Sequence, residues 1–136
     1  MSRLRIFVYG TLMRGEANDR QLAGLAYAPA RTRAEWTMVS LGGFPGIIAG
    51  GATTIDGEVY EVNDRVLARL DRLEGHPHFY RRMPVLLVDG TLAETYVLPA
   101  SYRNDHNKIP SGSWRRERKP EAWLAPAGRY DEEDDE

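Results

Sequence analysis

The chain of 136 residues contains no cysteine. This absence excludes a disulfide framework, a thiolate zinc site, an iron–sulfur cluster and a thiol nucleophile. Long apolar runs are also missing, since nowhere do about 18 apolar residues follow one another. The N-terminal apolar stretch is too short for a secretion signal and lacks a cleavage region. We therefore expect a soluble cytoplasmic protein that does not associate with a membrane.

The length and the charge distribution predict one domain followed by a short acidic tail. A chain of this size buries roughly two thirds of the surface that its unfolded form exposes, which suffices for one core. The net charge is −2, but the last six residues, DEEDDE, carry −6, so the remainder is basic at +4. A terminal block of like charges is typically disordered, although it can also bind a partner. We expect a single domain over residues 1–125 and a disordered tail over residues 126–136.

Six segments are rich in β-branched and aromatic residues, and they predict strands. They cover residues 4–9, 34–41, 47–49, 56–62, 79–88 and 91–98. The last two flank Asp89-Gly90, a dipeptide that favours a two-residue hairpin turn. No long apolar heptad or exposed apolar strand is evident, so we expect a monomer.

One segment has the pattern of an amphipathic helix with both ends marked. Asn63 or Asp64 can cap its start, and Gly75 can end it in the left-handed conformation. Residues 16–25 predict one or two further helical turns. Sequential hairpins without βαβ alternation favour a small mixed or antiparallel barrel with a helix packed on it. The apolar stripe of that helix consists of Val66, Leu67, Leu70 and Leu73.

The first strand runs directly into the loop Tyr9-Gly10-Thr11-Leu12. This loop matches neither of the glycine-rich nucleotide-binding patterns. A glycine here lets the chain turn sharply and lets another group approach closely, so several backbone N–H groups can face a concavity. Such a concavity suits a carboxylate or a developing oxyanion. The alternative, a turn whose glycine has a purely conformational role, stays open at this point.

Glu74 stands in the last turn of the predicted helix, where the helix dipole disfavours a negative charge. If Leu73, Phe79 and Tyr80 also shield it from water, its pKa rises toward the range of a general base at neutral pH. A solvated glutamate in front of a capping glycine is the alternative interpretation.

Three histidines are the only metal-binding candidates apart from carboxylates. His76 and His78 form an H-x-H pair around Pro77, and His106 lies far along the chain. No established zinc spacing accompanies the pair, so we expect no metal and interpret these histidines as loop or rim residues.

The serines and the basic segment of the C-terminal region give no catalytic or nucleic-acid motif. Ser111 and Ser113 lie outside any G-x-S-x-G pattern and resemble turn residues. The segment SWRRERKP at 113–120 has one aromatic and one acidic residue, so we interpret it as a solvated connection and expect no nucleic-acid binding. The three tryptophans are interpreted as core or rim aromatics: Trp36, Trp114 and Trp123.

Several motifs resemble, in order and spacing, the γ-glutamylcyclotransferase-like family, and most closely the γ-glutamylamine cyclotransferases. The resemblance extends to about residue 116. The motifs are VYGTLMRG near the N-terminus, FPGIIAG at 44–50, DGEVYEV at 56–62, LDRLEGHPHFYRR at 70–82 and IPSGSWR at 109–115.

The resemblance implies an α+β fold, a small six-stranded mixed β-barrel with flanking helices and a cavity at one end. It further implies an enzyme without a cofactor that releases 5-oxoproline from a γ-glutamyl amine or peptide, a small-molecule substrate. Transferred position by position, the catalytic acid is Glu74, and the substrate-binding residues are Tyr9, Gly10, Thr11, Leu12 and Tyr80.

This chemistry suits the two features found above. The substrate's own α-amine must attack its γ-carbonyl, but that amine is protonated at neutral pH, so a base is needed first. Glu74 would take the proton and later return one to the departing amine. Two other functions stay open: a non-catalytic module that binds a small metabolite in the same cavity, and an interaction protein acting through its basic segment and acidic tail.

Overall fold

The structure is a computed structural model that describes residues 3–118. The acidic tail at 126–136 and Trp123 lie outside the described residues, as does the end of the predicted domain. Within residues 3–118 the strands are β1 (Arg3–Val8), β2 (Tyr27–Arg31), β3 (Trp36–Ser40), β4 (Pro45–Ala49), β5 (Asp56–Asn63), β6 (Arg81–Leu86) and β7 (Leu92–Val97). The helices are α1 (Asp64–Glu74) and α2 (Trp114–Arg118), with 3₁₀ turns at Asp19–Leu22 and Ala100–Tyr102.

The strands form two sheets. Five of them lie in the order β2-β5-β1-β7-β6, and β3 pairs with β4 in a separate sheet of two. The β1–β7 pair is parallel and the other pairs are antiparallel, so the large sheet is mixed. The central position of β1 follows from its apolar run, since Ile6, Phe7 and Val8 are all buried.

The predicted α+β class is confirmed, but the closed six-stranded barrel is not. In the described part of the chain, the edge strands β2 and β6 meet through one bridge, between Thr32 and Leu87. The N–H of Val88 donates to the carbonyl of Arg31 beside that bridge, at 2.9 Å. The strands β3 and β4 pair with each other and do not extend either edge of the large sheet.

The strand β2 was missing from the sequence prediction. Its residues YAPAR are largely exposed, so they show no alternation of apolar and polar positions. Pro29 also argues against a strand, yet an edge strand tolerates proline because one of its sides needs no ladder hydrogen bonds. The omission therefore has a physical cause in the edge position of β2.

The hairpin of β6 and β7 exists, but its turn is longer than the predicted two residues. Leu86 pairs with Leu92, the N–H of Leu87 donates to the carbonyl of Thr91 at 2.9 Å, and residues 88–90 form the loop between them. The Asp89 carboxylate accepts hydrogen bonds from the backbone N–H and the hydroxyl of Thr91, at 3.0 and 2.7 Å. The N–H of Gly90 also donates to the carbonyl of Leu87 at 2.9 Å, and Gly90 adopts φ 88°, so the connection is a hydrogen-bonded turn of three residues.

Helix α1 has the predicted ends. The Asn63 side chain accepts from the N–H of Val66 at 2.9 Å, and Gly75 adopts φ 69°. The N–H of His76 then reaches back to the carbonyl of Asp71, which completes a Schellman-type end. Leu70 is fully buried, but Leu73 is 44% exposed, so its predicted place in the buried stripe is wrong.

The remaining helical segments are short. The 3₁₀ turn at Asp19–Leu22 confirms the expected helical turn after the first loop. Helix α2 was not predicted; the Ser113 hydroxyl caps it by accepting from the N–H of Arg116 at 3.1 Å. Trp36 and Trp114 are buried, as interpreted from the sequence. Within residues 3–118, no helix combines the length and the apolar character needed to span a membrane.

Candidate active site

A cavity of about 310 Å³ lies at the C-terminal end of β1. Its walls come from the loop after β1, residues 43–45, the end of α1, and Tyr96 of β7. The glycine-rich segment in front of β4 thus borders the cavity through Gly43, Phe44 and Pro45. All of the predicted site residues line this one cavity: Tyr9, Gly10, Thr11, Leu12, Glu74 and Tyr80.

Close packing explains the glycine in the loop. A Cβ atom on Gly10 would lie 2.7 Å from Cγ of Pro45, too near for any other residue without a shift. Internal hydrogen bonds hold the loop, and one of them joins the N–H of Met13 to the carbonyl of Gly10 at 3.1 Å. Asn18 binds Thr11 twice, through its backbone N–H at 2.8 Å and its side-chain amide at 2.9 Å.

Three backbone donors of this loop have no partner among the described residues. Within residues 3–118, no hydrogen bond joins the N–H groups of Gly10, Thr11 or Leu12 to an acceptor. Unpaired backbone N–H groups are costly unless water or a ligand satisfies them. Three consecutive donors at a cavity wall therefore offer a place for an anion.

Glu74 is a part-buried carboxyl without a partner in the part of the chain that the structure describes. No other residue of the described chain donates a hydrogen bond to it or forms an ion pair with it, and the cavity lining contains no lysine or arginine. Burial therefore raises the pKa of Glu74 to about 7. At neutral pH this carboxyl exists in both forms, as proton transfer in either direction requires.

Three tyrosines surround the carboxyl, and each hydroxyl group is bonded. Tyr9 donates to the carbonyl of Tyr96 at 2.7 Å and accepts from the N–H of Ile47 at 3.3 Å. Tyr80 donates to the carbonyl of Pro45 at 2.6 Å. Burial raises the pKa of all three tyrosines. They are thus neutral at physiological pH.

A network that sequence reasoning missed stands behind this wall. The Tyr96 hydroxyl donates to Oδ1 of Asp71 at 2.7 Å, and Arg82 binds both oxygens of Asp71 at 3.0 and 3.2 Å. Arg82 also pairs with Glu94 at 2.5 Å. Burial alone would raise the pKa of Asp71, but the hydrogen bonds from Arg82 and Tyr96 outweigh it and the pKa is lowered.

The histidines lie outside the cavity. His76 accepts from the backbone N–H of Arg82 through Nδ1 at 3.0 Å, and His78 lines a neighbouring cavity instead. His106 is an exposed loop residue. Among residues 3–118, no group of three or more histidine or carboxylate side chains is arranged to hold a metal ion.

Within residues 113–118 of the basic segment, two arginines are held by a buried acid, in contrast to the solvated connection that the sequence suggested. Arg115 and Arg118 both pair with Glu16, at 3.3 and 2.8 Å, and the Glu16 side chain is only 1% exposed. Arg115 also reaches Glu58 at 3.4 Å. The buried carboxylate of Glu16, on the loop after β1, therefore binds both arginines. Ser111 and Ser113 are turn and cap residues, as interpreted.

The family comparison agrees with this arrangement. Residues 6–116 match the family model described as gamma-glutamyl cyclotransferase, AIG2-like. The match spans most of the chain, so the protein belongs to this family. The predicted membership of an enzyme family of γ-glutamylcyclotransferases is thereby confirmed.

Individual relatives give the same picture. The chain is 38% identical over 110 residues to a protein of Vibrio cholerae whose name places it among the gamma-glutamylcyclotransferases; the match covers 80% of this chain and 93% of that protein. It is 37% identical over 89 residues to the gamma-glutamylaminecyclotransferase of Homo sapiens, with 57% of each chain covered. The crystal structure of an AIG2-like protein from Mus musculus is similar in fold, with a TM-score of 0.70, 25% identity and coverage of 83% and 88% of the two chains.

Proposed function

We propose that the protein releases 5-oxoproline from a γ-glutamyl amine or peptide, with Glu74 as the proton-transferring residue. One observation carries the proposal: a partnerless carboxyl with a pKa of about 7 shares a cavity with three free backbone N–H groups. Membership of the family supports the reaction class, and the name of the human relative supports an amine as leaving group.

Glu74 begins the reaction by accepting a proton from the α-ammonium group of the substrate. The freed nitrogen attacks the γ-carbonyl carbon, and a new C–N bond closes the five-membered ring. The original amide C–N bond then breaks. Glu74 returns its proton to the leaving nitrogen, which also receives the second proton lost by the attacking nitrogen. No water is consumed and the carboxyl is regenerated.

The loop after β1 holds the negative part of the substrate. The N–H groups of Gly10, Thr11 and Leu12 are suited to bind the α-carboxylate or the carbonyl oxygen on which charge develops. Holding either group fixes the γ-glutamyl chain in the folded shape that ring closure needs. Base and donors thus act on one substrate molecule in a cavity of about 310 Å³.

The test is a Glu74→Gln variant supplied with a panel of γ-glutamyl amines and peptides. We expect the parent to produce 5-oxoproline, detected by mass spectrometry, and the variant to lose about 10²–10⁴-fold in rate. Glu35→Gln is the matched control, because Glu35 is an exposed glutamate outside the cavity. We expect this variant to keep the parent's rate.

Two results would contradict the proposal. One is a Glu74→Gln variant that turns over substrate as fast as the parent, which would remove the role of this carboxyl. The other is a parent that is stabilised by 5-oxoproline in thermal melts but converts no γ-glutamyl compound, which would favour the metabolite-binding module.

A further inference from the structure

The tyrosine hydroxyls around the candidate base share one property: each has given its only proton to a protein acceptor. Tyr9 donates to the carbonyl of Tyr96, and Tyr80 to the carbonyl of Pro45. Tyr96 itself donates to Oδ1 of Asp71. A phenol has one O–H donor, and its remaining capacity is to accept. Toward a ligand in the cavity these three oxygens therefore offer lone pairs only.

The acceptor of Tyr96 differs from the other two, because it is a side chain that must itself be held in place. Arg82 holds it with two hydrogen bonds, one to each carboxylate oxygen of Asp71. A two-point contact of this kind fixes the plane of a carboxylate. Arg82 is fixed in turn by Glu94 at 2.5 Å.

Without this acceptor the Tyr96 proton would have one obvious alternative. Glu74 lies one helical turn after Asp71 on α1 and lines the same cavity as Tyr96. A hydrogen bond from Tyr96 would stabilise the ionised form of Glu74 and make it a weaker base.

We propose that the Arg82–Asp71 ion pair is a positioning unit that keeps the hydroxyl proton of Tyr96 away from Glu74. The three tyrosine hydroxyls then offer Glu74 no proton, and its carboxyl stays free to take one. The inference rests on the proposed function, in which that proton comes from an ammonium group. It also assigns the ligand chemistry of this end of the cavity: acceptor oxygens around a carboxyl select a primary ammonium group.

Few other ionisable groups face Glu74 in the described chain. Tyr9 faces it from the end of β1, Tyr80 from the segment before β6, and Tyr96 from β7. Residues 17–18 and 43–45 contribute no ionisable side chain to the lining. His76, which follows α1, is bonded through Nδ1 to the backbone of Arg82. A change in the titration of Glu74 therefore has few possible sources.

The experiment follows the Glu74 carboxyl carbon by NMR during a pH titration, with the Glu74→Gln variant used for assignment. Asp71→Ala removes the acceptor, so we expect the Glu74 midpoint to fall by about one pH unit. Asp71→Asn loses the same charge but keeps an acceptor oxygen, so it should stay near the parent. Adding Tyr96→Phe to Asp71→Ala should return the midpoint to the Asp71→Asn value.

Tyr96→Phe alone is the variant that keeps the inference falsifiable if Asp71→Ala does not fold. We expect it to leave the Glu74 midpoint unchanged, because Tyr96 does not donate to Glu74 in the parent. A rise of about one pH unit would show that Tyr96 already donates, and it would overturn the inference. Equal midpoints in Asp71→Ala and Asp71→Asn would also overturn it, since Asp71 would then have only a structural role.

A second readout separates this inference from the proposed function. In Asp71→Ala, the acid limb of the kcat/KM profile for 5-oxoproline formation should move to lower pH by the same amount as the NMR midpoint. A parent without turnover on any γ-glutamyl compound would refute the function. The NMR titration would still decide where the Tyr96 proton lies.

Discussion

Asp71 and Glu74 are two carboxyls one turn apart on the same helix, and the structure treats them in opposite ways. Asp71 receives two hydrogen bonds from Arg82 and one from Tyr96, and its pKa is lowered although burial alone would raise it. Glu74 receives none from the described residues, and burial raises its pKa to about 7. For these two part-buried carboxyls, the hydrogen-bond donors decide the direction of the pKa shift more than the extent of burial does.

The buried carboxylates of Glu16 and Glu58 show the same dependence on partners. Glu16 and Glu58 are more deeply buried than Glu74, yet arginine reaches both of them. These carboxylates join α2 to the loop after β1 and to β5. Arginines thus pair with the carboxylates of Asp71, Glu16 and Glu58, whereas no lysine or arginine lines the cavity that contains Glu74. That distribution is what favours Glu74 as the base.

The largest expected effect on stability comes from removing the partner of Asp71. Arg82→Met leaves two part-buried carboxylates without their cation, Asp71 with Tyr96 as its one donor and Glu94, so the free energy of unfolding at pH 7 should fall by about 2–3 kcal/mol. A lowered pKa means that the contribution of Asp71 exists above its ordinary pKa and disappears as the pH falls. The loss should therefore shrink below about pH 4. Urea denaturation at pH 7 and pH 3 measures it.

Two controls accompany this prediction. Asp71→Asn combined with Arg82→Met should recover part of the loss, since only the Glu94 carboxylate then lacks its cation. A loss of equal size at pH 7 and pH 3 would show that Arg82 stabilises the fold through packing and not through the carboxylate.

A smaller effect of opposite sign is expected at Glu74. Its raised pKa means that folding favours the protonated form, so its ionisation costs stability as the pH rises from about 4.5 toward 7. Glu74→Gln cannot ionise, so it should match the parent at pH 4 and exceed it by about 2 kcal/mol at pH 8, after allowance for solvent screening. Urea denaturation across this range measures the difference, with Glu35→Gln as the control. Equal stabilities at pH 8 would mean that Glu74 ionises without cost.

The smallest effect is expected at an exposed pair, which sets the baseline for both comparisons. Arg31 and Asp56 are in contact at 2.8 Å, but their side chains are 64% and 40% exposed. Arg31→Ala should change the free energy of unfolding by less than about 1 kcal/mol, and added salt should reduce that change further. A loss as large as that of Arg82→Met would mean that burial does not govern these pairs.

Local patterns predicted much of what positions the base. Asn63 and Gly75 set the ends of α1 through bonds to neighbouring residues, so sequence alone placed Glu74 in its last turn. The β-forming run of residues 4–9 likewise predicted a strand that ends in the loop at Gly10. These features depend on residues that are close together in the chain, so the sequence alone could predict them.

Contacts between residues that are far apart in the sequence could not be predicted. Tyr96 and Asp71 are 25 positions apart, and Arg115 and Glu16 are 99 apart, so no local pattern announces either contact. The role of Gly10 was predicted in part. The sequence indicated that another group approaches this glycine closely, but only the structure shows that this group is Pro45. The closed six-stranded barrel is not confirmed, and sequence could not decide it because tertiary contacts set strand pairing at the sheet edges.

The titration of Glu74 in the parent protein tests the central claim most directly. A carboxyl carbon NMR titration resolves Glu74 and Asp71 in one experiment. The account predicts a midpoint near pH 7 for Glu74 and a midpoint below the ordinary aspartate value for Asp71. A Glu74 midpoint near 4.5, the ordinary value for glutamate, would contradict it, because such a carboxyl would not be the partnerless base on which the proposed reaction depends.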